Sequence, residues 1–259
     1  MSYQQLCINR ATLPEAWLQA FRALLEPRVQ AIVPLSVTVT IGESADDEAE
    51  SNSRFERTLN EGLAARECPS IETTANTLFP QSLWNIEASR FQLYERYAHI
   101  LPELKRLARA NQYGTYFERL VSFQTREGRR RNQKPVNQLE YIITTFRRGN
   151  RRRSALQAAV FNPLDDHTHQ RQRGFPCLQH VFFIPDKNEL AITGVYATQW
   201  IFARGYGNAV GLLRLGRFMA HELGLQLVRL TMVASHATLG RIGKNEGREL
   251  ARNLEENLQ

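Results

Sequence analysis

Apolar positions recur along this chain in two rhythms. In LPEAWLQAFRALLEP (13–27), Trp17, Phe21, Leu24 and Leu25 share one face of a 3.6-residue helix that Pro27 stops. AIVPLSVTVTI (31–41) is β-branched and predicts a strand; GESADDEAESNSR (42–54) is acidic and small, and predicts an exposed loop or a poorly ordered insert. From Ile71 to Ala110 the pattern is mostly helical, with Trp84, Phe91, Leu93 and Tyr94 as core anchors. QYGTYFERLVSF (112–123) follows, turned by Gly114, and the basic run REGRRRNQKP predicts a surface loop. NQLEYIITTFRR (137–148) sets Leu139, Ile142, Ile143 and Phe146 on one side of a helix.

The strands gather in the second half. SALQAAVFNP (154–163) predicts a strand ended by Asn-Pro, and LDDHTHQRQRGF a polar connector. PCLQHVFFIPDKNELAITGVYATQWIF reads as two strands joined at PDKN. NAVGLLRLGRFMAHELGL (208–225) is the clearest helix, with apolar Val210, Leu213, Phe218 and Leu223 and Asn208 as its N-cap. QLVRLTMVAS predicts the last strand and KNEGRELARNLEENL a polar final helix. With no internal repeat and no domain linker, the layout is α+β.

Composition adds boundaries. A chain of 259 residues, 42% hydrophobic, can bury a real core as one large domain or two small ones. No apolar run approaches the roughly 20 residues of a membrane helix, and MSYQQLCINR lacks a signal-peptide pattern. Cys7, Cys68 and Cys177 are too few and scattered for a disulfide framework, so free thiols in a cytoplasmic setting are expected. The net charge of +7 suits an anionic partner. Much of it lies in REGRRRNQK (126–134) and RRGNRRR (147–153), each a nucleic-acid patch, a phosphate site or a solvated loop. His167 and His169 stand beside two aspartates in DDHTHQR (165–171), with Cys177 and His180 downstream, but their spacing matches no closed zinc site.

RGFPCLQHVFF (173–183) leaves Cys177 two roles, a buried structural thiol or a nucleophile at a strand end. Its company favours the second. A double arginine (Arg152, Arg153) precedes a strand ending in Asn, then Pro176-Cys177 opens an apolar strand. A Gly-x-x-Asn loop opens the hydrophobic helix at Asn208, and a later strand carries His236. That order resembles the thymidylate synthase superfamily, over roughly residues 110 to 240. The resemblance implies a mixed β-sheet with helices on one face and a long buried central helix. It implies one domain over 1–259, with an N-terminal helix/strand extension over about 1–60.

It also implies roles. Cys177 matches the nucleophile, Asn208 the reader of the pyrimidine edge, and His236 the holder of the sugar hydroxyl. Arg152 and Arg153 match paired arginines that reach the neighbour's phosphate across a homodimer. Tyr113-Gly114 resembles the Tyr-Gly before the first active-site wall, and Glu72 is the candidate proton relay. The cofactor would be 5,10-methylenetetrahydrofolate, and the substrate a pyrimidine nucleotide. Read without the resemblance, Asn208 serves equally as a cap, His236 as a core histidine, Arg152 and Arg153 as solvated surface, and Glu72 as an ordinary carboxylate.

Departures are plain. The family's Gln-Arg-Ser stands here as Tyr196-Ala197-Thr198, and its folate-holding aspartate as Trp200. Leu178 replaces the usual His after the cysteine, and Thr238 the tyrosine of His-x-Tyr. A short hydroxymethylase-like member fits better than a true thymidylate synthase. With Ala197 in the place of the phosphate arginine, Arg204 or Arg148 would have to compensate. Two functions follow: cysteine-dependent one-carbon transfer to carbon 5 of a pyrimidine nucleotide, or a non-catalytic protein of the same fold that binds nucleotide or nucleic acid through its Arg clusters.

Overall fold

A computed structural model describes residues 4–42, 48–108, 111–112, 114–150, 152–167 and 176–258 of the chain. Its helices are α1 (Leu13–Leu25), α2 (Glu48–Ala64), α3 (Ile71–Asn76), α4 (Arg90–Leu107), α5 (Tyr116–Val121), α6 (Arg126–Arg130), α7 (Gln138–Arg147), α8 (Pro163–Asp166), α9 (Tyr206–Leu223) and α10 (Lys244–Glu256). Its strands are β1 (Gln4–Arg10), β2 (Ile32–Thr40), β3 (Gln157–Ala159), β4 (Leu178–Asp186), β5 (Glu189–Tyr196), β6 (Gln199–Trp200), β7 (Gln226–Ala234) and β8 (Ala237–Thr238). They form one mixed sheet in the order β3-β4-β5-β7-β2-β8-β6, with β1 beside β2.

Parallel neighbours need a crossover, and in this sheet β1–β2, β5–β7 and the short pair β6–β8 are parallel, each joined by a connection that contains a helix. β1 and β2 run parallel across α1, and β5 and β7 run parallel across α9. Both helices pack on the same sheet face and touch each other. Beneath them Leu35, Val37, Ile192, Tyr196, Leu230 and Met232 are buried. The alternating residues Ser36, Thr38, Thr193, Val195, Thr231 and Val233 point the other way and stay half-exposed. The α+β class, with helices on one face of a mixed sheet, is therefore as expected.

α9 is the buried central helix. Its Gly207 and Gly211 lie against α3, where a Cβ on Gly207 would stand 2.6 Å from Thr74 Cβ and one on Gly211 2.8 Å from the Ala75 carbonyl oxygen. The far end of α9 is tied by charge. Glu222, 6% exposed, takes Arg147 at 3.2 Å and Arg90 at 3.4 Å, and Arg90 also grips Glu140 with contacts of 2.7 and 2.9 Å. Arg147 donates to the Glu222 carbonyl as well, at 2.8 Å, which satisfies a helix-end acceptor that no intrahelical donor reaches.

Several expectations are corrected. The segment 42–54 is not all loop, since α2 begins at Glu48; residues 43–47 lie outside the described part. Asn208 is not the cap of its helix: α9 starts at Tyr206, after a π-turn over Ile201–Gly205. The strand over 154–163 shrinks to β3, and β8 follows the strand expected to be last. β1 was hidden by its polar composition, and the basic run holds the short helix α6. Phe91 is 50% exposed with the Arg90 guanidinium over its ring, while Leu93 and Tyr97 fill the core.

Helix propensity alone would make Gly211→Ala stabilising by about 1 kcal/mol. The new methyl instead meets a backbone carbonyl fixed in α3, and such overpacking costs roughly 1–3 kcal/mol. We expect Gly211→Ala to lower the denaturant midpoint; an unchanged or higher midpoint would mean that the two helices are not held so closely.

Candidate active site

Beyond the carboxyl end of β5 the chain turns abruptly. β6 runs into the π-turn, whose backbone follows i to i+5 rather than i to i+4 pairing, and the Ile201 carbonyl also accepts from Trp17 Nε1 at 2.9 Å. The Phe202 amide donates to the Leu239 carbonyl at 3.0 Å, pinning the turn to the segment after β8. So anchored, the turn puts Arg204 and the first turn of α9 along one side of a cleft of about 360 Å³. This is a place where open α/β sheets commonly bind ligands.

The opposite walls come from three other segments. Pro176 and Cys177 lead into β4, and the Ala197 amide donates to the Cys177 carbonyl at 2.8 Å. Thr74 comes from α3 and Thr77 from its C-cap, and Gly114, Thr115 and Tyr116 from the start of α5. α3 and α5 are joined where the Phe117 amide donates to the Thr77 carbonyl at 2.9 Å. Thr115 caps α5 and shares a hydrogen bond with Tyr97, so this wall is braced from behind. Asn111, Thr198, Gln199 and Trp200 complete the described lining.

Electrostatically the cleft is mixed. Burial pushes the Cys177 thiol up, and nearby Arg204 offsets part of that. Arg204 is held by the Thr74 hydroxyl at 3.3 Å. The Tyr116 hydroxyl is pushed up to about 12, first by burial and then by Cys177, while the backbone amides of Leu178 and Cys177 pull the other way. Among the described residues, Cys177 thus faces the Arg204 cation and the Tyr116 phenol, which stays protonated at neutral pH.

Of the residues singled out by sequence, Cys177 and Asn208 line this cleft together, with Arg204 between their elements. Asn208 is 4% exposed, reached only from inside the cleft. Glu72 is not brought in: it lies at the start of α3 in a bidentate pair with Arg214, at 2.6 and 3.0 Å, which holds its carboxyl below the ordinary value. His236 is exposed between β7 and β8, but its carbonyl accepts from the Gln199 amide at 2.9 Å, one residue from the cleft wall. Arg152 and Arg153 are exposed beside β3, away from the described cleft lining, and Arg148 is exposed at the end of α7. Tyr113 lies outside the described residues. Among the described residues no helix is long and apolar enough to cross a membrane, and no three His, Cys, Asp or Glu side chains gather as a metal site requires.

Sequence reasoning missed Thr74, Thr77, Tyr116 and Gln199. Nothing in a helical or strand period marks a residue as cleft-facing when its element is only two to six residues long, as β6, α3 and α5 are.

No protein-family model matches the chain. Over 92 residues it is 32% identical to a protein of Methanocaldococcus jannaschii named "Putative thymidylate synthase". That stretch is 35% of this chain and 41% of the relative, so the match spans less than half of the relative's length. The likeness is distant and partial, and it reaches the thymidylate synthase superfamily at most.

Proposed function

We propose that this protein is a cysteine-dependent enzyme that transfers a one-carbon unit, as methyl or hydroxymethyl, to carbon 5 of a pyrimidine nucleotide. The observation that carries this reading is the meeting of Cys177, Asn208 and Arg204, from a strand entry, a helix start and a π-turn, around one cleft. The partial likeness to a protein named as a thymidylate synthase supports it from a separate direction.

In this reading the Cys177 sulfur adds as a thiolate to carbon 6 of the ring. The electrons of the 5,6 double bond move to the 4-carbonyl, carbon 5 becomes nucleophilic, and its proton later leaves to solvent as the sulfur is expelled. Asn208 donates and accepts at the N3–H and O4 edge, which favours uracil. Arg204 supplies the positive charge in the same subunit, to phosphate or thiolate. Glu72 would relay protons only with its Arg214 pair opened. A reduced folate suits the cleft mouth: Trp200, 48% exposed, borders both the cleft and an adjoining hollow of about 370 Å³ that includes Arg241, a flat face beside a cation. When bound, it would supply to carbon 5 a one-carbon unit at the formaldehyde oxidation level, which water completes as hydroxymethyl; a methyl product would also need a hydride, which the same reduced folate would give up.

A homodimer joined through the half-exposed sheet face would let Arg152 and Arg153 serve the partner's cleft. Light scattering at micromolar concentration should then report twice the chain mass; a monomer removes the trans arginines.

Tritium release from carbon 5 of UMP, dUMP, CMP and dCMP, with and without methylenetetrahydrofolate, tests the reaction. Release from one nucleotide should fall to background in Cys177→Ser. No release, combined with nucleotide or nucleic-acid binding that charge reversal of the exposed Arg129, Arg130 and Arg131 destroys, favours the non-catalytic reading. The thiol itself gives a second test. Because burial outweighs Arg204, the pH midpoint for Cys177 alkylation should lie above the ordinary thiol value of about 8.5, and Arg204→Gln should move it higher. A midpoint below 8.5 would show a thiol already activated in the empty cleft.

A further inference from the structure

Gln199 is an unusual residue to find in the cleft wall. It is 3% exposed, and neither its amide oxygen nor its amide nitrogen has a hydrogen-bond partner. Its backbone amide donates to the His236 carbonyl at 2.9 Å, and its strand pairs with β8. On its inner side the residue borders a hollow of about 20 Å³ lined by apolar Leu35, Val37 and Met232. On its outer side it borders the cleft that holds Cys177 and Asn208. A buried amide with both ends unpaired destabilises the folded chain, whereas a methionine of the same length would not.

We infer that Gln199 is a second ligand-reading amide, kept at a cost to the empty protein because it pairs with the substrate ring. The inference rests on the pyrimidine reading and follows from counting groups. A uracil ring offers a carbonyl, an N–H and a second carbonyl in a row, so its full recognition takes a donor, an acceptor and a donor. One asparagine amide supplies one donor and one acceptor. Gln199 supplies the missing donor, to the 2-carbonyl, when its side chain turns from the apolar hollow toward the cleft. Its role is to position and select the ring.

The experiment compares wild type, Gln199→Met and Gln199→Glu by thermal unfolding, and by calorimetric binding of UMP, dUMP and a uracil nucleotide analogue lacking the 2-carbonyl. Gln199→Met should unfold about 2–4 °C higher and bind the natural nucleotide at least tenfold more weakly. It should also lose the wild-type preference over the analogue, while Gln199→Glu, which lacks the donor, should behave likewise in binding. A lower melting temperature for Gln199→Met, or undiminished binding with the preference retained, overturns the inference and makes Gln199 structural. If wild type binds no pyrimidine nucleotide, the pyrimidine reading fails with the 2-carbonyl assignment, whichever way the melting temperature moves. Should the variants not fold, the side-chain amide resonances of Gln199 in labelled wild type decide: a shift on nucleotide addition supports the pairing, and no shift at saturation overturns it.

Discussion

The cleft depends on the contact between α3 and α9. With hydrogen in place of a side chain at Gly207 and Gly211, the α9 backbone lies against Thr74, Ala75 and the Ile71 carbonyl with no room for a methyl group. That approach brings Thr74 and Thr77 across from Asn208 and lets the Thr74 hydroxyl hold Arg204. It also determines what the walls can do. Interdigitated helices slide poorly because any displacement opens a void or forces an overlap. The α3 wall and the α9 wall therefore behave as one body, with α5 attached through the Thr77 carbonyl.

Within this rigid frame Cys177 occupies a balanced position. Arg204 lies near enough to favour the thiolate, yet burial outweighs it and keeps the proton on. A charged partner arriving in the cleft alters this balance from both sides. Phosphate would engage Arg204 and weaken its help to sulfur, whereas a ring drawing electrons from carbon 6 would favour the thiolate at the moment of attack. In the proposed reaction, then, reactivity belongs to the complex more than to the free protein, a safeguard for a thiol that opens onto a cleft.

Much of the frame is legible in the amino-acid sequence. Trp17, Phe21, Leu24 and Leu25 do bury one face of α1, and PDKN does join two antiparallel strands, with Lys187 at φ 50° in the turn. Cys177 and Asn208 could be singled out because a Pro-Cys strand entry and a Gly-x-x-Asn helix start resemble a known order. What escaped is what depends on distant partners. Asn208 looked like a cap because the π-turn ahead of it has no period of its own; Trp17, far away in the chain, completes that turn. Nothing near Glu72 in the chain marks Arg214, 142 residues on, as its partner, and β1 is a strand because β2 pairs with it, not because QQLCINR alternates strongly. Gln199 carried no signal at all, since an unpaired amide is a property of the fold around it.

The π-turn also bears on how the segment can change in length. It is in effect a helix that has accommodated one additional residue, and each residue in a regular helix turns the following side chains by about 100°. Removing a residue between Trp200 and Tyr206 would pull the turn back into register with α9, and the segment could then no longer present Arg204 and Asn208 to the same side. Substitution in this segment thus disturbs the cleft less than insertion or deletion would, because the spacing from Trp200 to Asn208 sets which way both ends of the segment face.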